Sequence, residues 1–123
     1  ILKLDFTNSF FNLKELHITK AIEIQNSSSS LFSQSSFIES LKLSELNLTS
    51  PRLERGFKVN NFRFIKHLDL SRNLIEYLPK YYFFFNSQLI FLNLSHNIIK
   101  SFDFTQFIST SILNFDLNYN QIS

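Results

Sequence analysis

The feature that most constrains this 123-residue chain is an 11-residue pattern that recurs at a nearly constant interval. In its clearest copy, apolar residues fill positions 1, 4, 6 and 11 and an asparagine fills position 9: Leu89, Leu92, Leu94, Ile99 and Asn97. Two other copies match at all five positions: Ile65, Leu68, Leu70, Asn73 and Ile75, then Ile112, Phe115, Leu117, Asn120 and Ile122. The three copies start 24 and 23 residues apart. This period predicts a solenoid of stacked coils rather than a globular core.

Two less regular copies extend the pattern toward the N-terminus. One comprises Leu43, Leu46, Leu48 and Leu53, with Pro51 at the asparagine position. The other opens with Leu13, Leu16 and Ile18, and places Ala21 at position 9 and Glu23 at position 11. Because neither proline nor alanine has a side-chain amide, we expect asparagine-mediated hydrogen bonding to weaken toward the N-terminal half.

The five copies resemble the leucine-rich repeat family, and the resemblance covers nearly the whole chain, from Leu13 to the end. It implies an α/β-type repeat solenoid, which is a segment of a horseshoe. Such a segment has a parallel β-sheet on its concave side and irregular or short-helical segments on its convex side. Arrays of this family usually act as binding surfaces, so the resemblance also implies a protein partner.

The segments that return from one strand to the next resemble the "typical" subclass, found in Toll-like receptors and related extracellular recognition proteins. The residues that match it, at positions 14, 15 and 19 of two successive copies, are Leu78, Pro79 and Phe83, then Phe102 and Phe107. Asn86 and Ser109 depart from the subclass, which has leucine there. In the aromatic run 81–85, we expect at least two rings to pack on the convex side, because buried aromatic area is strongly stabilising. The alternative is an exposed aromatic docking patch.

Alternation of apolar and polar residues at positions 3 to 7 predicts one short strand per copy. The predicted strands are Glu15–Ile18, Glu45–Leu48, His67–Leu70, Phe91–Leu94 and Asn114–Leu117. Two buried stacks should follow: Leu46, Leu68, Leu92 and Phe115 in one, and Leu48, Leu70, Leu94 and Leu117 in the other. Asn73, Asn97 and Asn120 stand where the chain leaves a strand. An amide there both donates and accepts, so it satisfies backbone groups that the turn leaves unpaired.

Residues 1–123 are expected to form a single array of about four to five coils. The chain starts at Ile1 and stops one residue after Ile122, in the middle of a copy, so we expect it to be a piece of a longer array. Seven of the ten residues 27–36 are serine, which predicts a solvated loop inserted at 25–36. That insertion is either a ligand-contacting loop or a tolerated low-complexity segment.

Composition argues against several classes of chemistry. The chain has no cysteine, so it contains neither disulfides nor thiolate metal sites. Gly56 is its sole glycine, which excludes a glycine-rich phosphate loop. A formal charge of +2 is too small to favour nucleic acid or an anionic membrane as the partner. No apolar run reaches the roughly 18 residues that membrane insertion needs. We therefore expect no catalytic residue, no cofactor and no bound metal.

The outward positions of the predicted strands define the candidate partner-binding face. Its residues are His67, Asp69, Arg72, Phe91, Asn93, His96, Asp116 and Tyr119. The frame also places Glu45 and Asn47 there. Aromatic residues and arginine dominate binding energy at protein interfaces, which favours the C-terminal half of this face. A metal or acid–base site formed by His67, Asp69 and His96 is the alternative to a polar binding surface.

The sequence therefore predicts a non-catalytic protein-binding segment from an extracellular or receptor ectodomain, whose partner is a protein of unknown identity. Three sequons offer candidate N-glycosylation sites at Asn26, Asn47 and Asn93. The alternatives are an intracellular leucine-rich repeat scaffold, or the recognition part of an enzyme such as a receptor kinase whose catalytic part is missing from this chain. Glycan occupancy at Asn26 or Asn47 would distinguish the extracellular hypothesis from the intracellular one.

Overall fold

The computed structural model describes residues 3–4, 15–19, 23–24, 37–55, 59 and 62–123. The elements in these ranges are β1 (Lys3–Leu4), β2 (Glu15–Thr19), β3 (Glu23–Ile24), β4 (Ser40–Ser44), α1 (Ser50–Arg55), β5 (His67–Asp69), β6 (Phe91–Asn93), a 3₁₀ turn (Phe104–Phe107) and β7 (Asn114–Asp116). None of the helices in this part of the chain is both long and apolar enough to cross a membrane.

Five strands form one parallel sheet in chain order, β2-β4-β5-β6-β7. The residues at position 4 of successive coils lie directly opposite one another across this sheet: Leu16, Leu41, Leu68, Leu92 and Phe115. Parallel strands joined in sequence by return segments are the arrangement expected of a solenoid. Four of the five predicted strands are confirmed to within one residue at each end. Strands β1 and β3 form a separate two-stranded parallel sheet, which the repeat pattern did not predict.

The predicted strand Glu45–Leu48 is wrong, because the strand of that coil is β4, which begins five residues earlier at Ser40. Leu41 pairs with Leu68, and Leu43 pairs with Ile18. The predicted stacks therefore pass through Leu41 and Leu43 instead of Leu46 and Leu48, although the latter two are also buried outside the sheet.

Two frames fit the apolar spacing of this coil, which explains the error. Ile38, Leu41, Leu43 and Leu48 fill positions 1, 4, 6 and 11 as well as the predicted set does. The observed frame leaves Pro51 in the first turn of α1, where the N–H that proline lacks is not needed for helical bonding. Residues paired across the sheet from Leu16 to Phe115 are 25, 27, 24 and 23 apart in sequence. The insertion predicted at 25–36 lies outside the described residues and stays a prediction.

Asparagine side chains hydrogen-bond consecutive coils to one another. The Asn97 Nδ2 donates to the Leu70 and Leu94 carbonyls, each at 3.0 Å, and the Asn97 Oδ1 accepts from the Ile75 N–H at 3.0 Å. Asn73 and Asn120 repeat the arrangement one coil earlier and one coil later. In the coil of β4, Leu46 occupies the equivalent position and has no side-chain amide to contribute.

The core lies between the sheet and the convex segments. On the convex side the Phe83 and Phe107 rings stack with centroids 5.2 Å apart, and both rings are buried. Asn86 is buried where the "typical" subclass has leucine, and its Nδ2 donates to the Val59 and Phe62 carbonyls, each at 3.0 Å. This amide therefore replaces an apolar contact between two coils with hydrogen bonds.

The aromatic run 81–85 divides into two groups. Tyr82 and Phe83 are buried, as expected of convex packing, while Tyr81, Phe84 and Phe85 are exposed. Burial raises the pKa of the Tyr82 hydroxyl well above its ordinary value, and a hydrogen bond with the Val59 backbone lowers it to a smaller extent. Tyr82 therefore stays uncharged within the core at neutral pH.

Asn97→Ala should lower the free energy of unfolding by about 1–3 kcal/mol, because it leaves buried backbone groups of two coils without partners. Urea denaturation followed by circular dichroism measures the loss. Asn114→Ala is the matched control, since it makes the same substitution at an exposed position of β7, where the cost should stay below about 0.5 kcal/mol. Equal losses for both variants would show that the Asn97 amide does not hold the coils together.

Candidate concave binding face

The exposed side of strands β4 to β7, together with the residue that follows position 7 in each coil, forms a surface that we call the concave face. Its residues at positions 3, 5 and 8 are Ser40, His67, Phe91 and Asn114; Lys42, Asp69, Asn93 and Asp116; and Glu45, Arg72, His96 and Tyr119. The corrected frame moves Glu45 from the strand to its exit and removes Asn47 from this face. Sequence reasoning missed Ser40 and Lys42 for the same reason.

The column at position 5 has a structural role as well as an exposed side. The Oδ1 atoms of Asp69, Asn93 and Asp116 each accept the backbone N–H two residues further on, at 2.9, 3.0 and 3.0 Å. These Asx turns bend the chain out of each strand. In β4 the same position is Lys42, whose Nζ lies 4.0 Å from the Asp69 Oδ2. The Asx turns use only the Oδ1 atoms, so the Oδ2 atoms of Asp69 and Asp116 and the Nδ2 of Asn93 take no part in them.

The column at position 8 has an unusual backbone conformation. Glu45, Arg72, His96 and Tyr119 all have positive φ angles, of 58°, 56°, 55° and 58°. The left-handed region costs a non-glycine residue about 1–2 kcal/mol, because the Cβ atom approaches the following carbonyl. Backbone hydrogen bonds to the next coil hold three of these residues in place. The Glu45 N–H donates to the Arg72 carbonyl at 3.1 Å, the Arg72 N–H to the Ser95 carbonyl at 3.0 Å, and the His96 N–H to the Asn118 carbonyl at 2.9 Å.

Two pairs of rings meet across neighbouring coils of the concave face. The His96 and Tyr119 rings are nearly parallel, with centroids 4.3 Å apart, and the Tyr119 residue is 75% exposed. The His67 and Phe91 rings are 6.2 Å apart and tilted by 43°. The structure thus brings together four of the residues that the sequence predicted as partner-binding, in two pairs on successive coils.

The charges of the concave face are mixed in sign. Lys42 and Arg72 are basic, whereas Glu45, Asp69 and Asp116 are acidic. Within the part of the chain that the structure describes, no group of three or more histidine, cysteine, aspartate or glutamate residues could hold a metal ion. His67, Asp69 and His96 therefore do not form the alternative metal site, and their arrangement fits a polar surface with aromatic contacts.

The chain was compared with known families, sequences and structures. A scan against family models and a search of curated protein sequences both give no match. Among solved structures, 17 chains match. One is the crystal structure of InlP from Listeria monocytogenes, with a TM-score of 0.70 and 23% sequence identity over 97% of this chain and 31% of that chain.

The chain has a leucine-rich repeat fold. Five short parallel strands in one sheet, with little helix, agree with the InlP structure, and the strands that pair carry the repeated leucines. This leucine-rich repeat chain spans about a third of the length of InlP. At this level of identity, the likeness establishes the architecture of the concave face and leaves its partner open.

Arg72→Gly should leave the free energy of unfolding unchanged or raise it by up to about 1.5 kcal/mol. Removing the Cβ relieves left-handed strain of about 1–2 kcal/mol, while the added backbone freedom of glycine costs roughly 0.5–1 kcal/mol. His67→Gly is the control, because His67 is exposed in the extended strand β5, where the same entropy cost has no compensating relief. Urea titration compares the two. A loss for Arg72→Gly as large as that for His67→Gly would contradict the assignment of strain at this position.

Proposed function

We propose that this chain is a non-catalytic, protein-binding leucine-rich repeat segment whose partner contacts the concave face. The observation that carries the proposal is the column of arginine, histidine and tyrosine at strand exits with left-handed backbone conformation. Glycine would relax this conformation in each coil. Strained residues of this kind are concentrated at functional sites, where the surrounding structure holds them in an otherwise unfavourable conformation.

The composition of the face supports a protein as the partner. Arg72, Phe91 and Tyr119 belong to the residue types that contribute most to binding energy at protein interfaces. Mixed charges argue against the phosphate backbone of a nucleic acid, which needs a surface of predominantly basic residues. Asp69 and Asp116 add carboxylates beside these anchors, so a partner with complementary basic groups would be oriented as well as bound.

An extracellular or cell-surface ectodomain is the setting we propose. The support is the resemblance of the return segments to the "typical" subclass found in Toll-like receptors. Three of the residues that carry this resemblance, Leu78, Phe83 and Phe107, are buried on the convex side of this chain. Asn47 adds support, because it is exposed and lies outside the strands in an Asn-Leu-Thr sequon. Asn26 lies outside the described residues.

The sequon at Asn93 differs from the one at Asn47 in its surroundings. Asn93 is half-buried in β6, its Oδ1 accepts the Ser95 N–H, and Ser95 itself is only 7% exposed. A glycan on the Asn93 Nδ2 would leave this hydrogen bond in place, but it would have to fit on a half-buried strand beside a buried sequon serine. Asn47 is exposed and lies outside the strands, so the two sites are expected to differ in glycan occupancy.

Tyr119→Ala should weaken binding of the protein partner about tenfold or more, since it removes an exposed aromatic anchor worth at least about 1.4 kcal/mol at an interface. Partners are first isolated on the immobilised wild-type chain, and their affinities for each variant are then measured by surface plasmon resonance. Phe85→Ala is the matched control, because it removes a ring that is 58% exposed on the convex side. Partners that bind Tyr119→Ala as tightly as wild type, and lose affinity for Phe85→Ala, would move the site off the concave face.

Mass spectrometry of the protein purified from its own cells tests the proposed setting. We expect a glycan on Asn47 and none on Asn93, because only Asn47 is exposed outside the sheet. Asn47→Gln should remove the corresponding mass increment. An unmodified Asn47 in the native protein would favour the intracellular scaffold over the extracellular ectodomain.

A further inference from the structure

A pocket of about 320 Å³ lies on the convex side, between the return segments of two successive coils. Its walls include Lys80, Tyr81 and Phe84 from one coil and Asp103, Gln106 and Ile108 from the next. None of these residues belongs to the concave face. The pocket is therefore a second candidate site, separate from the surface proposed above for the partner.

Hydrogen bonds join the two walls of this pocket and fix the position of Asp103 within one of them. The Ser109 Oγ donates to the Phe84 carbonyl at 3.1 Å, which joins the two coils beside the pocket. The Asp103 Oδ1 accepts the Thr105 N–H at 2.9 Å and the Thr105 hydroxyl at 2.6 Å. These bonds lower the pKa of the Asp103 carboxyl, which is therefore ionised at neutral pH, and leave its Oδ2 as the acceptor for an incoming donor.

Two exposed aromatic rings form the apolar part of the pocket. Tyr81 is 66% exposed and Phe84 is 55% exposed, and their rings meet edge to face with centroids 6.3 Å apart. Tyr81 also has a positive φ of 61°, which is uncommon for a bulky residue. A strained backbone that presents an exposed ring points to a binding role rather than to packing.

The electrostatics of the pocket favour a positively charged group. The Lys80 Nζ already lies over the Tyr81 ring, 5.0 Å from its centroid, so this ring face binds an ammonium group within the same chain. The Gln106 Oε1 is buried and accepts no hydrogen bond from the described residues. Rotation of that side chain into the pocket would pair the oxygen with a ligand donor and remove the cost of leaving it unpaired.

We propose that this convex-side pocket binds an arginine side chain of a protein partner, with Lys80 occupying part of the site until the partner arrives. A guanidinium is planar, so it stacks on the Phe84 ring, and its donors face the Asp103 carboxylate and the Gln106 amide. Charge complementarity selects the occupant: the ring faces, the carboxylate and the amide oxygen are all electron-rich, and Lys80 is the single competing cation among the residues that line the pocket.

The test uses the full chain and N-acetyl-arginine methylamide as the probe, followed by ¹H–¹⁵N NMR titration. Saturable shifts are expected at Tyr81, Phe84 and Gln106, with affinity on the order of millimolar for a single side chain. Asp103→Asn should weaken binding about fivefold or more, because it removes the facing charge. Glu76→Gln is the matched control and should change nothing, since that exposed carboxylate lies outside the pocket.

Lys80→Met is expected to strengthen probe binding, and a misfolded variant would not show such an increase. Loss of the resident ammonium should strengthen probe binding about twofold or more, by freeing the Tyr81 face. Weaker binding by Lys80→Met would overturn the proposal and indicate an acidic partner group. Equal binding of the citrulline analogue, which has the same shape without the charge, would also overturn it, as would shifts confined to the concave face or an absence of saturable shifts.

Discussion

A side-chain amide placed between consecutive coils is the interaction on which the rest of the structure depends. Asn97 joins carbonyl groups of two coils and accepts an N–H from the earlier one, across 27 and 22 residues of sequence. Each such set of bonds fixes the turn out of one strand relative to the turn before it. The coil of β4 marks a limit within the described residues. Its Leu46 and Leu48 N–H groups donate to the Asn73 Oδ1 of the next coil, but Leu46 itself stands at the asparagine position and has no side-chain amide to offer the coil before it.

The concave face takes its order from that constraint. Because every described strand from β4 to β7 ends in the same phase, the residue after position 7 has the same left-handed conformation four times, and its side chain emerges at the same height of the sheet. His96 and Tyr119 stack for this reason, although 23 residues separate them in sequence. The site is thus a product of the repeat's periodicity rather than of local sequence.

Strict spacing made most of the fold predictable, and its ambiguity explains the error. His67, Phe91 and Asn114 begin their strands as predicted, because an asparagine six residues later leaves a single possible frame. The coil of β4 has leucine in place of that asparagine, so apolar spacing alone fitted two frames. The left-handed column at position 8 was not predictable, because glutamate, arginine, histidine and tyrosine share no property that reveals φ. Their conformation follows from the turn that each of them occupies at the end of its strand.

The Asx turns also determine how the concave face, the proposed binding surface, can change in charge. Asp69 and Asp116 make the same backbone hydrogen bond as Asn93, with the same Oδ1 atom and nearly the same length. Either aspartate or asparagine can therefore make the turn at position 5, while the two differ by a full charge toward the solvent. Exchange between the two along this column alters the electrostatic potential of the face in single steps, one coil at a time. A stable scaffold can in this way acquire new partners without any change in its backbone.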